Sequence, residues 1–474
     1  MSMESWDVVI VGSGPAALRA AIASSEAGAN PLILDSLGVG AGQGSAPSAG
    51  FAASITEVDS TAHRDDTISA GGDAVDKTVA SRICGEAVGA LAELERWGLV
   101  LRRSSDGLPQ TTSAPGHSQP RLTGCGDSTN SSVTKILEEQ VIKRKITRRS
   151  DILPLSLVLD NQQIRGVTIL RIGDGEVFGI QTKSVILATE GHQGLWSNIA
   201  NGSGLGNCLA IGAGISLRGM EHFANHSMTV TGTDLHIPIE LISSGGTICK
   251  VTGEEADITT VISGEPCILD MRNLNSNAKI WFSQTIRRLE SRTGLNVETD
   301  VIPISAGISA TTGGSPVDEN GRVTFEEGSM WYTGLYAAGR SANTGLHGES
   351  ILPGNILLED IISGSAAGTH AGAWASTAQF GGFDPLTTEL SAVEEKISNL
   401  FVNSGISVSE FSSKLSRIVT NMNGNAQKTL SELSDLKAVD VQLTDTSRIM
   451  NTELVAALKL EGLISLAESI VDSK

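Results

Sequence analysis

The first 35 residues carry the pattern that most restricts how this chain can fold. Two apolar runs, Trp6 to Val11 and Ala29 to Asp35, flank a glycine turn and an alanine-rich stretch from Pro15 to Glu26. An apolar run of strand length is typical of a parallel strand that is buried on both faces. The order therefore predicts strand, turn, helix and strand, which is the opening unit of a Rossmann-like α/β sheet.

The turn has the spacing G-x-G-x-x-A, formed by Gly12, Gly14 and Ala17. The first glycine allows a tight turn, the second lets the backbone approach a pyrophosphate, and the amides that begin the helix face the phosphate charge. Asp35 ends the second strand about 20 residues further on, where a carboxylate can accept from ribose hydroxyls. Together these features favour a dinucleotide site over a purely structural glycine turn. The predicted contacts are Gly12, Ser13, Gly14, Pro15, Ala16, Asp35 and Ser36.

Two later segments extend this predicted site. VILATEG, from Val185 to Gly191, and YAAG, from Tyr336 to Gly339, are each predicted to be a strand that ends in small residues and a turn. Strand ends of an open parallel sheet converge at one edge, so both segments should reach the same ligand. A nicotinamide enzyme usually needs only the first site, and no second G-x-G-x-x-G follows a strand, so FAD is favoured over NAD. The further predicted contacts are Ala188, Thr189, Gly339, Arg340, Asn355, Ile356 and Leu357.

Charge and cysteine usage exclude several classes of partner. The net charge of −19 opposes binding to a nucleic-acid backbone. The basic cluster from Lys143 to Arg149 is predicted to be a solvated helix end rather than a binding patch. The five cysteines show no metal-ligand spacing, so no zinc or iron–sulfur site is expected, and they suit a reducing compartment. With no long apolar run and no room for a signal peptide, we predict a cytoplasmic protein without a transmembrane segment of its own.

The order of predicted strands and helices along the chain indicates an inserted domain and a helical C-terminal domain. Strands and helices alternate at first, short β-like pieces with one amphipathic helix (Ala278 to Arg292) follow, and the alternation returns at GLYAAG. Apolar stripes at helical spacing fill the C-terminal part, where Asn451 is predicted to be an N-cap. The predicted divisions are an FAD-binding domain in two halves, 1–225 and 306–375, an inserted α+β domain, 226–305, and a helical C-terminal domain, 376–474.

Ordered motifs along nearly the whole chain resemble the succinate dehydrogenase/fumarate reductase flavoprotein family, which also contains L-aspartate oxidase. Besides the first turn, the motifs are RLTGCGDST, VILATEG, GMEHFANH, CILDMRNL, TTGGSPVDENGRV, GLYAAGR, LHGESILPGNILLED and NTELVAALKLEGLI. The resemblance implies the same fold, with the inserted domain capping the substrate. It also implies hydride exchange between flavin N5 and a carbon beside a carboxylate.

The cofactor shell departs from the family pattern at a few positions. Covalent members attach FAD through a histidine whose position is matched here by Gln43, so the flavin is predicted to be bound non-covalently. Glu190 replaces a glycine, and Arg340 replaces a glutamate. We expect Arg340 to pair with a cofactor phosphate or with Glu190.

The substrate positions depart more strongly. The family clamps a dicarboxylate with two arginines, two histidines and a Thr-Glu pair, of which His226 and Glu240 are retained. Ile239, Ser309 and Ile351 replace the threonine, the second histidine and one arginine, and the shortened cap offers no equivalent of the other arginine. A carboxylate that is buried without its cation costs about 3–5 kcal/mol, so tight binding of a C4-dicarboxylate should be lost.

Three residues are catalytic candidates: His226, Glu240 and His347. His226 either contacts the substrate or is a hydrogen-bonded residue that only lines the wall of the site. Glu240, in a mostly apolar stretch that we predict to be a strand, is either a proton-transfer group with a raised pKa or a salt-bridge partner. His347 follows the last FAD strand in a glycine-rich loop, where it should lie near the isoalloxazine ring. His117 and Arg121 would approach the flavin from another loop.

Three functions are compatible with these residues. The first is an FAD-dependent oxidoreductase that acts on a small metabolite, with or without a carboxylate, and passes electrons to an iron–sulfur or quinone-linked partner or to oxygen. The second is a flavin-carrying relay or assembly subunit without a substrate of its own. The third, a true succinate dehydrogenase or fumarate reductase flavoprotein, needs two cations that the sequence does not place. Any contact with a membrane would come through a partner.

Overall fold

The computed structural model describes residues 3–36, 50–54, 57–196, 202–402, 404–422 and 425–473. The strands are β1 (Met3–Val11), β2 (Pro31–Leu34), β3 (Phe51–Ala52), β4 (Leu122–Thr123), β5 (Thr147–Arg149), β6 (Ile152–Asp160), β7 (Gln163–Arg171), β8 (Glu176–Leu187), β9 (Phe223–Val230), β10 (Thr247–Lys250), β11 (Cys267–Asp270), β12 (Ile302–Thr311), β13 (Ser315–Pro316), β14 (Arg322–Phe325), β15 (Met330–Ala337), β16 (Ala342–Asn343), β17 (Ile406–Ser407) and β18 (Val441–Gln442). The α-helices are α1 (Pro15–Glu26), α2 (Glu57–Gly71), α3 (Lys77–Arg96), α4 (Thr129–Lys143), α5 (Leu205–Gly212), α6 (Ile258–Ile262), α7 (Ser276–Trp281), α8 (Ser283–Thr293), α9 (Asn355–Thr377), α10 (Asp384–Leu400), α11 (Val408–Thr420), α12 (Ala426–Lys437) and α13 (Thr452–Asp472).

A parallel sheet forms the centre of the molecule. Its strands lie in the order β5, β2, β1, β8 and β15, all parallel, and β7 and β14 extend it in antiparallel fashion. Helices α1 and α4 cover one face together with α9, and α10 packs on the antiparallel extension. Strand β6 belongs to the sheet and pairs with β7 in antiparallel fashion. The buried residues of β1, Val8 to Val11, are at most 1% exposed, as expected for a strand covered on both faces. The predicted Rossmann-like α/β architecture is confirmed.

The strand ends meet at one edge of this sheet. Backbone hydrogen bonds connect the residues that follow neighbouring strands: Gly12 donates to Leu34, Ala188 donates to Val11, and the N–H of Ala338 donates to Leu187, each at 2.9 Å. Segments that are far apart in sequence therefore reach a single edge. This is the convergence on which the predicted cofactor site depends.

A second, antiparallel sheet has the strand order β10, β11, β12 and β9. It encloses its own core with α7 and α8, in which Met228, Leu269, Phe282 and Ile302 are fully buried. We call residues 223–311, which carry β9 to β12 and α6 to α8, the second-sheet segment. It connects covalently to the central sheet through β9 at one end and β12 at the other. The domain boundaries proposed above at 225 and 305 lie inside these two strands and remain predictions.

Helices α10 to α13 form a third layer that packs on β6, β7 and α5. The side chain of Asn451 accepts from the backbone N–H of Leu454 at 2.8 Å, so its predicted role as an N-cap is confirmed. Among the described residues, no helix is long and apolar enough to cross a lipid bilayer.

Local patterns misplaced or missed several elements. The predicted helix from Ala278 to Arg292 is in fact two helices, because the backbone at Phe282 (φ −98°, ψ 25°) leaves the helical region between α7 and α8. Helices α2 and α3 and strand β6 were not predicted, although Asp76, which accepts from the N–H groups of Thr78 and Val79, is an N-cap signal for α3.

Close packing of α1 against α9 depends on a stripe of glycines. A Cβ added at Gly364, Gly368 or Gly372 would lie 2.5, 2.2 or 2.7 Å from a backbone carbonyl oxygen of α1. The two helix backbones can approach only because these side chains are absent. This contact fixes the starts of α1 and α9 relative to each other at the edge where the strand ends meet.

Replacing Gly368 with alanine should therefore destabilise the protein by about 1–3 kcal/mol, since the helices must separate to admit one methyl group. The matched control is Gly89→Ala in α3, where an added Cβ meets nothing within 4 Å. It should be neutral or stabilising by up to about 1 kcal/mol. Urea unfolding followed by circular dichroism measures both variants, and equal midpoints would contradict the role given to the glycine stripe.

Candidate functional site

The turn after β1 is shaped by Gly12. Its φ of +129° is strained for any residue with a side chain, and an added Cβ would lie 2.1 Å from the carbonyl oxygen of Ala188. The turn thus lies directly against the end of β8. Only glycine permits this approach, so the structure explains the first position of the sequence pattern in physical terms.

Helix α1 begins without a side-chain cap. Gly14 is its N-cap residue, Pro15 stands at the first helical position, and the first turn contains no acidic residue. Ser13 and Ala16 are buried beside it. Uncapped amides at a helix N-terminus attract an anion, because the N–H groups and the helix dipole act together. The predicted contacts of the turn therefore fit a pyrophosphate.

The end of β8 is fastened to α5 by Thr189. Its N–H donates to the Ser341 hydroxyl at 2.9 Å, and its own hydroxyl accepts from the N–H of Gly206 at 2.9 Å. Ala188, immediately before it, is 3% exposed. Ala188 and Thr189, both predicted cofactor contacts, lie at the shared edge of the sheet. The Thr189 hydroxyl, however, already accepts an intramolecular hydrogen bond from Gly206.

The end of β15 approaches the same place through Gly339. Its φ is +56°, its N–H donates to the Ser363 hydroxyl at 3.0 Å, and an added Cβ would lie 2.8 Å from the Cβ of Ala16. The predicted contacts at Gly339 and at the start of α1 are therefore neighbours in space. A ligand held by one of them meets the other.

Arg340 is the charged group of this region. It is 5% exposed and forms an ion pair with Glu359, with its Nε 4.0 Å from Asp360. That Nε has no hydrogen-bond partner among the described residues, which leaves one donor for a bound group. The suggested pairing with Glu190 is wrong, because Glu190 accepts instead from the N–H and the hydroxyl of Ser203, at 3.2 and 2.7 Å.

Asp35 follows β2, as predicted, but it is not reserved for a ligand. Its carboxylate is 4% exposed and accepts from the Arg148 Nε at 2.8 Å, while Arg148 also contacts Glu138 at 3.1 Å. A carboxylate can accept several hydrogen bonds, so a ribose contact remains compatible with this pair. Ser36 is half-buried, and Gln43 lies outside the described residues.

The basic cluster of the sequence is neutralised within the fold. Besides Arg148, Arg144 contacts Glu26 at 2.6 Å, and Arg149 pairs with Glu4. The cluster runs from the end of α4 into β5 rather than forming only a helix end. Because its arginines serve intramolecular ion pairs, the choice against a binding patch is supported.

The first turn of α9 contains three predicted cofactor contacts, and the Asn355 side chain is used differently from the backbone of the turn. The N-cap Gly354 has a φ of +83°, and Asn355, Ile356 and Leu357 form the buried first turn. The Asn355 side chain bonds to His63 Nε2 at 2.7 Å and to the Thr67 hydroxyl at 3.0 Å. Its amide group therefore braces α2, and its backbone N–H donates to the Leu352 carbonyl at 3.1 Å, which leaves the N–H groups of Ile356 and Leu357 as the part of this turn for a ligand.

Sequence reasoning missed His63. It lies between Asn355 and the Ser54 hydroxyl, which is 3.2 Å from its Nδ1, and burial lowers its pKa to about 4. Nothing in the local sequence could have identified this network, because His63 and Asn355 are 292 residues apart.

The loop that contains His117 and Arg121 forms a second buried network. Arg121 is fully buried and contacts Asp66 at 2.6 Å and Asp59 at 3.3 Å. His117 Nδ1 accepts from the Arg121 guanidinium at 2.7 Å, and its Nε2 donates to the Pro353 carbonyl at 2.9 Å, just before α9. The loop therefore reaches the residues just before α9, and its predicted approach to the flavin stays a prediction. Its arginine is charge-compensated by carboxylates of α2.

His226 lies on β9 of the second-sheet segment and is 7% exposed. Its Nε2 donates to the Ile237 carbonyl at 2.7 Å, and its ring makes an edge contact with His236 at 5.2 Å between centroids. Burial, assisted by His236, lowers the pKa of His226 to about 3. The imidazole is therefore neutral, and because Nε2 carries the proton, Nδ1 is its unprotonated nitrogen.

Glu240 is fully buried, but the prediction that it lies in a strand is wrong. It belongs to a 3-10 helix, Ile239–Ser244, that follows Pro238 and ends at Gly245, whose φ is +107°. His226 bonds to the backbone of Ile237, three residues before Glu240, so both residues belong to the second-sheet segment. Ser309, on β12, is buried nearby and its hydroxyl reaches the Ala224 carbonyl at 3.5 Å.

His347 belongs to the Arg340 cluster instead. Its Nε2 lies 3.1 Å from the Glu359 carboxylate, which also accepts from the Thr344 hydroxyl. Burial, together with the charge of Arg340, lowers the pKa of His347 well below its ordinary value. The three catalytic candidates thus fall into two groups, one on the central sheet and one on the second. In the described residues no group of three His, Cys, Asp or Glu side chains could hold a metal.

We call the edge formed by the Gly12 turn, the start of α1 and the ends of β2, β8 and β15 the cradle. Gly12→Ala should abolish retention of FAD, because the new methyl group would displace the end of β8 from the cradle. Gly173→Ala is the control: an added Cβ there meets nothing within 4 Å, so FAD should be retained at the level of the unchanged protein. The ratio of flavin to protein absorbance after desalting measures the result. A folded Gly12→Ala protein with a full complement of flavin would contradict the assignment of the cradle.

The neutral His226 should make stability depend on pH. Its folded-state pKa of about 3 lies below the ordinary 6.5, so the unfolded chain takes up this proton first as the pH falls. The stabilisation is complete above about pH 6.5 and declines between pH 6.5 and 3, by about 2 kcal/mol at pH 5. His226→Gln should remove this part of the pH dependence.

Denaturant unfolding at pH 7.5 and pH 5 measures the difference. The control is Asn225→Gln, at an exposed position on the same strand, which should keep the pH dependence of the unchanged protein. If His226→Gln has that same pH dependence, the buried imidazole is not neutral as described.

Comparisons with known proteins agree with this geometry. Residues 7–357 match the family described as FAD binding domain, and residues 416–473 match that described as Fumarate reductase flavoprotein C-term. The chain is 25% identical to the succinate dehydrogenase flavoprotein subunit of Rickettsia felis, covering 98% of this chain and 86% of that protein. It is 28% identical to the L-aspartate oxidase of Mycobacterium leprae, covering 80% of this chain and 77% of that protein.

Among solved structures, a chain of Escherichia coli quinol fumarate reductase matches with a TM-score of 0.90 at 22% identity, covering 100% of this chain and 89% of that chain. The family match spans most of the sequence, and its residues include every strand end of the cradle. The protein binds FAD and belongs to the FAD-dependent family that contains the flavoprotein subunits of succinate dehydrogenase and fumarate reductase.

Proposed function

We propose that this FAD-dependent oxidoreductase acts on a small metabolite with at most one carboxylate and passes electrons to a separate protein. FAD, when bound, supplies hydride exchange at N5. We further propose that it is held non-covalently by the Gly12 turn, the uncapped start of α1, the end of β15 and the first turn of α9. The chain itself contributes neutral histidines and a buried carboxylate.

The observation that carries this proposal concerns buried cations. In the described part of the chain three arginines are buried, and each has a carboxylate partner: Arg19 with Glu93, Arg121 with Asp59 and Asp66, and Arg340 with Glu359. A buried cation that is already neutralised cannot also balance the charge of a substrate. A dianion entering this site would therefore lack counter-charge.

The residues at the expected substrate positions and the arginines of the second-sheet segment also indicate that a dianion would lack counter-charge. Ile351 stands where the resemblance places a clamping arginine, and Arg272 and Arg292, on the second-sheet segment, pair with Asp270 and Asp234. Each buried carboxylate without a cation costs about 3–5 kcal/mol. The loss of two clamps should weaken binding of a C4-dicarboxylate by several orders of magnitude.

We propose specific roles for the catalytic candidates. His226, fixed by its bond to Ile237, presents a neutral ring nitrogen that can position a substrate oxygen. Glu240, fully buried in the same segment, is the candidate proton-transfer group. His347, whose Nε2 is held by Glu359, keeps Nδ1 available toward the cofactor edge.

The electron partner is proposed from the relatives. Several are named as subunits, among them the flavoprotein subunits of succinate dehydrogenase and fumarate reductase. We propose that this chain likewise works with a partner that accepts or supplies electrons, through an iron–sulfur or quinone-linked protein. The compensated buried arginines also favour a second candidate function, a flavin-carrying relay or assembly subunit with no substrate of its own.

Anaerobic titration of the holoprotein tests the substrate class. Succinate should leave the visible flavin band unchanged, and Ile351→Arg alone should not create succinate turnover, because one restored cation leaves the second carboxylate uncompensated. A 2-hydroxy monocarboxylate and an uncharged alcohol are the matched probes, and bleaching by either supports the proposal. Ile351→Met is the control for side-chain length without charge.

Two results would change the conclusion. Succinate turnover restored by Ile351→Arg would show that the dicarboxylate site is largely intact. If no metabolite changes the spectrum but a reduced iron–sulfur protein does, the relay function replaces the oxidoreductase acting on a metabolite.

A further inference from the structure

The second-sheet segment has a third attachment to the rest of the molecule, besides β9 and β12. It lies at the start of α8, where the Asp127 carboxylate accepts from the backbone N–H groups of Gln284 and Thr285, at 3.2 and 2.6 Å. Asp127 belongs to the loop just before α4, on the central-sheet side. A carboxylate from one part of the protein thus caps a helix of another.

Further contacts reinforce this point. The N–H of Asp127 donates to the Trp281 carbonyl at 2.9 Å, and the Arg102 guanidinium donates to the Ile280 carbonyl at 3.1 Å. The same guanidinium lies over the Trp281 ring, 4.9 Å from its centroid. A Cβ at Gly126 would be 2.5 Å from the Trp281 carbonyl oxygen, so this glycine permits the loop to lie directly on the segment.

The loop that carries Asp127 is itself held firmly. The Thr129 hydroxyl accepts from the N–H of Cys125 at 3.0 Å and bonds to the Gly126 carbonyl at 2.5 Å. Helix α4 follows immediately and packs on α1. The anchor point is therefore continuous with the cofactor half of the molecule, while the anchored end is the break between α7 and α8.

We propose that Asp127 and Arg102 form a clamp that fixes the α7–α8 side of the second-sheet segment and thereby limits how far this segment opens over the cofactor edge. The two covalent connections run through neighbouring strands, β9 and β12, so they permit rotation about a common line. The contact of Asp127 and Arg102 with the break between α7 and α8 lies away from the line of β9 and β12, so it opposes such a rotation. Asp127 and Arg102 are not among the catalytic candidates, so the clamp would act in the same way whichever substrate binds.

Asp127→Ala in the FAD-loaded protein should increase access to the flavin. We expect a rise of about fivefold in the opening equilibrium, the factor that corresponds to the loss of an N-cap worth about 1 kcal/mol. Iodide quenching of flavin fluorescence and hydrogen exchange of residues 276–293 are the measurements. Arg102→Met should act in the same direction, although it leaves the N-cap of α8 intact.

The matched control is Asp257→Ala. Asp257 also caps a helix of the second-sheet segment by accepting from the N–H of Thr260, but α6 and its cap lie within the segment itself. This variant should raise exchange in α6 and leave flavin quenching unchanged. If Asp127→Ala and Arg102→Met retain FAD and raise exchange only in the first turn of α8, with quenching unchanged, the contact is a local helix cap and the clamp is refuted.

Discussion

The approach of two backbones, the Gly12 turn and the end of β8, is the contact on which the cofactor half of the protein depends. It places the start of α1 beside the ends of β2 and β15, so that backbone amides rather than basic side chains face a pyrophosphate. This suits a chain with a net charge of −19, because no exposed cationic patch is needed to hold a charged cofactor. The glycine stripe of α9 maintains the same geometry from the other side of α1.

A second feature of the structure is that its buried charges are compensated within the protein. Each buried arginine in the described ranges is paired with a carboxylate, and His63, His226 and His347 are neutral because burial lowers their pKa. Such an interior is stable without a ligand but has little counter-charge to offer one. Under the proposed function, the cofactor half remains similar to that of its relatives while the substrate half changes, because the first uses backbone groups and the second uses side-chain charges.

Local sequence patterns succeeded where one segment was sufficient. The strand, turn and helix that end at Glu26 were predicted because apolar period, glycine spacing and helix start lie within a few neighbouring residues. The same reasoning failed at Phe282, where an apolar stripe continues across a break that a distant carboxylate stabilises. It failed also at Glu240, where Pro238 and Gly245 close a 3-10 helix that an apolar run does not reveal.

The sequence by itself determined FAD binding and the α/β class, because these depend on backbone conformation and on short-range spacing, and its ordered motifs identified the family by resemblance. Only the tertiary structure decided which charges are compensated: Asp35 by Arg148, Arg340 by Glu359, and the α8 terminus by Asp127. Such pairs join elements from distant parts of the chain or depend on how a loop is set against a helix. Their partners are chosen by packing, which leaves no periodic signal in the sequence.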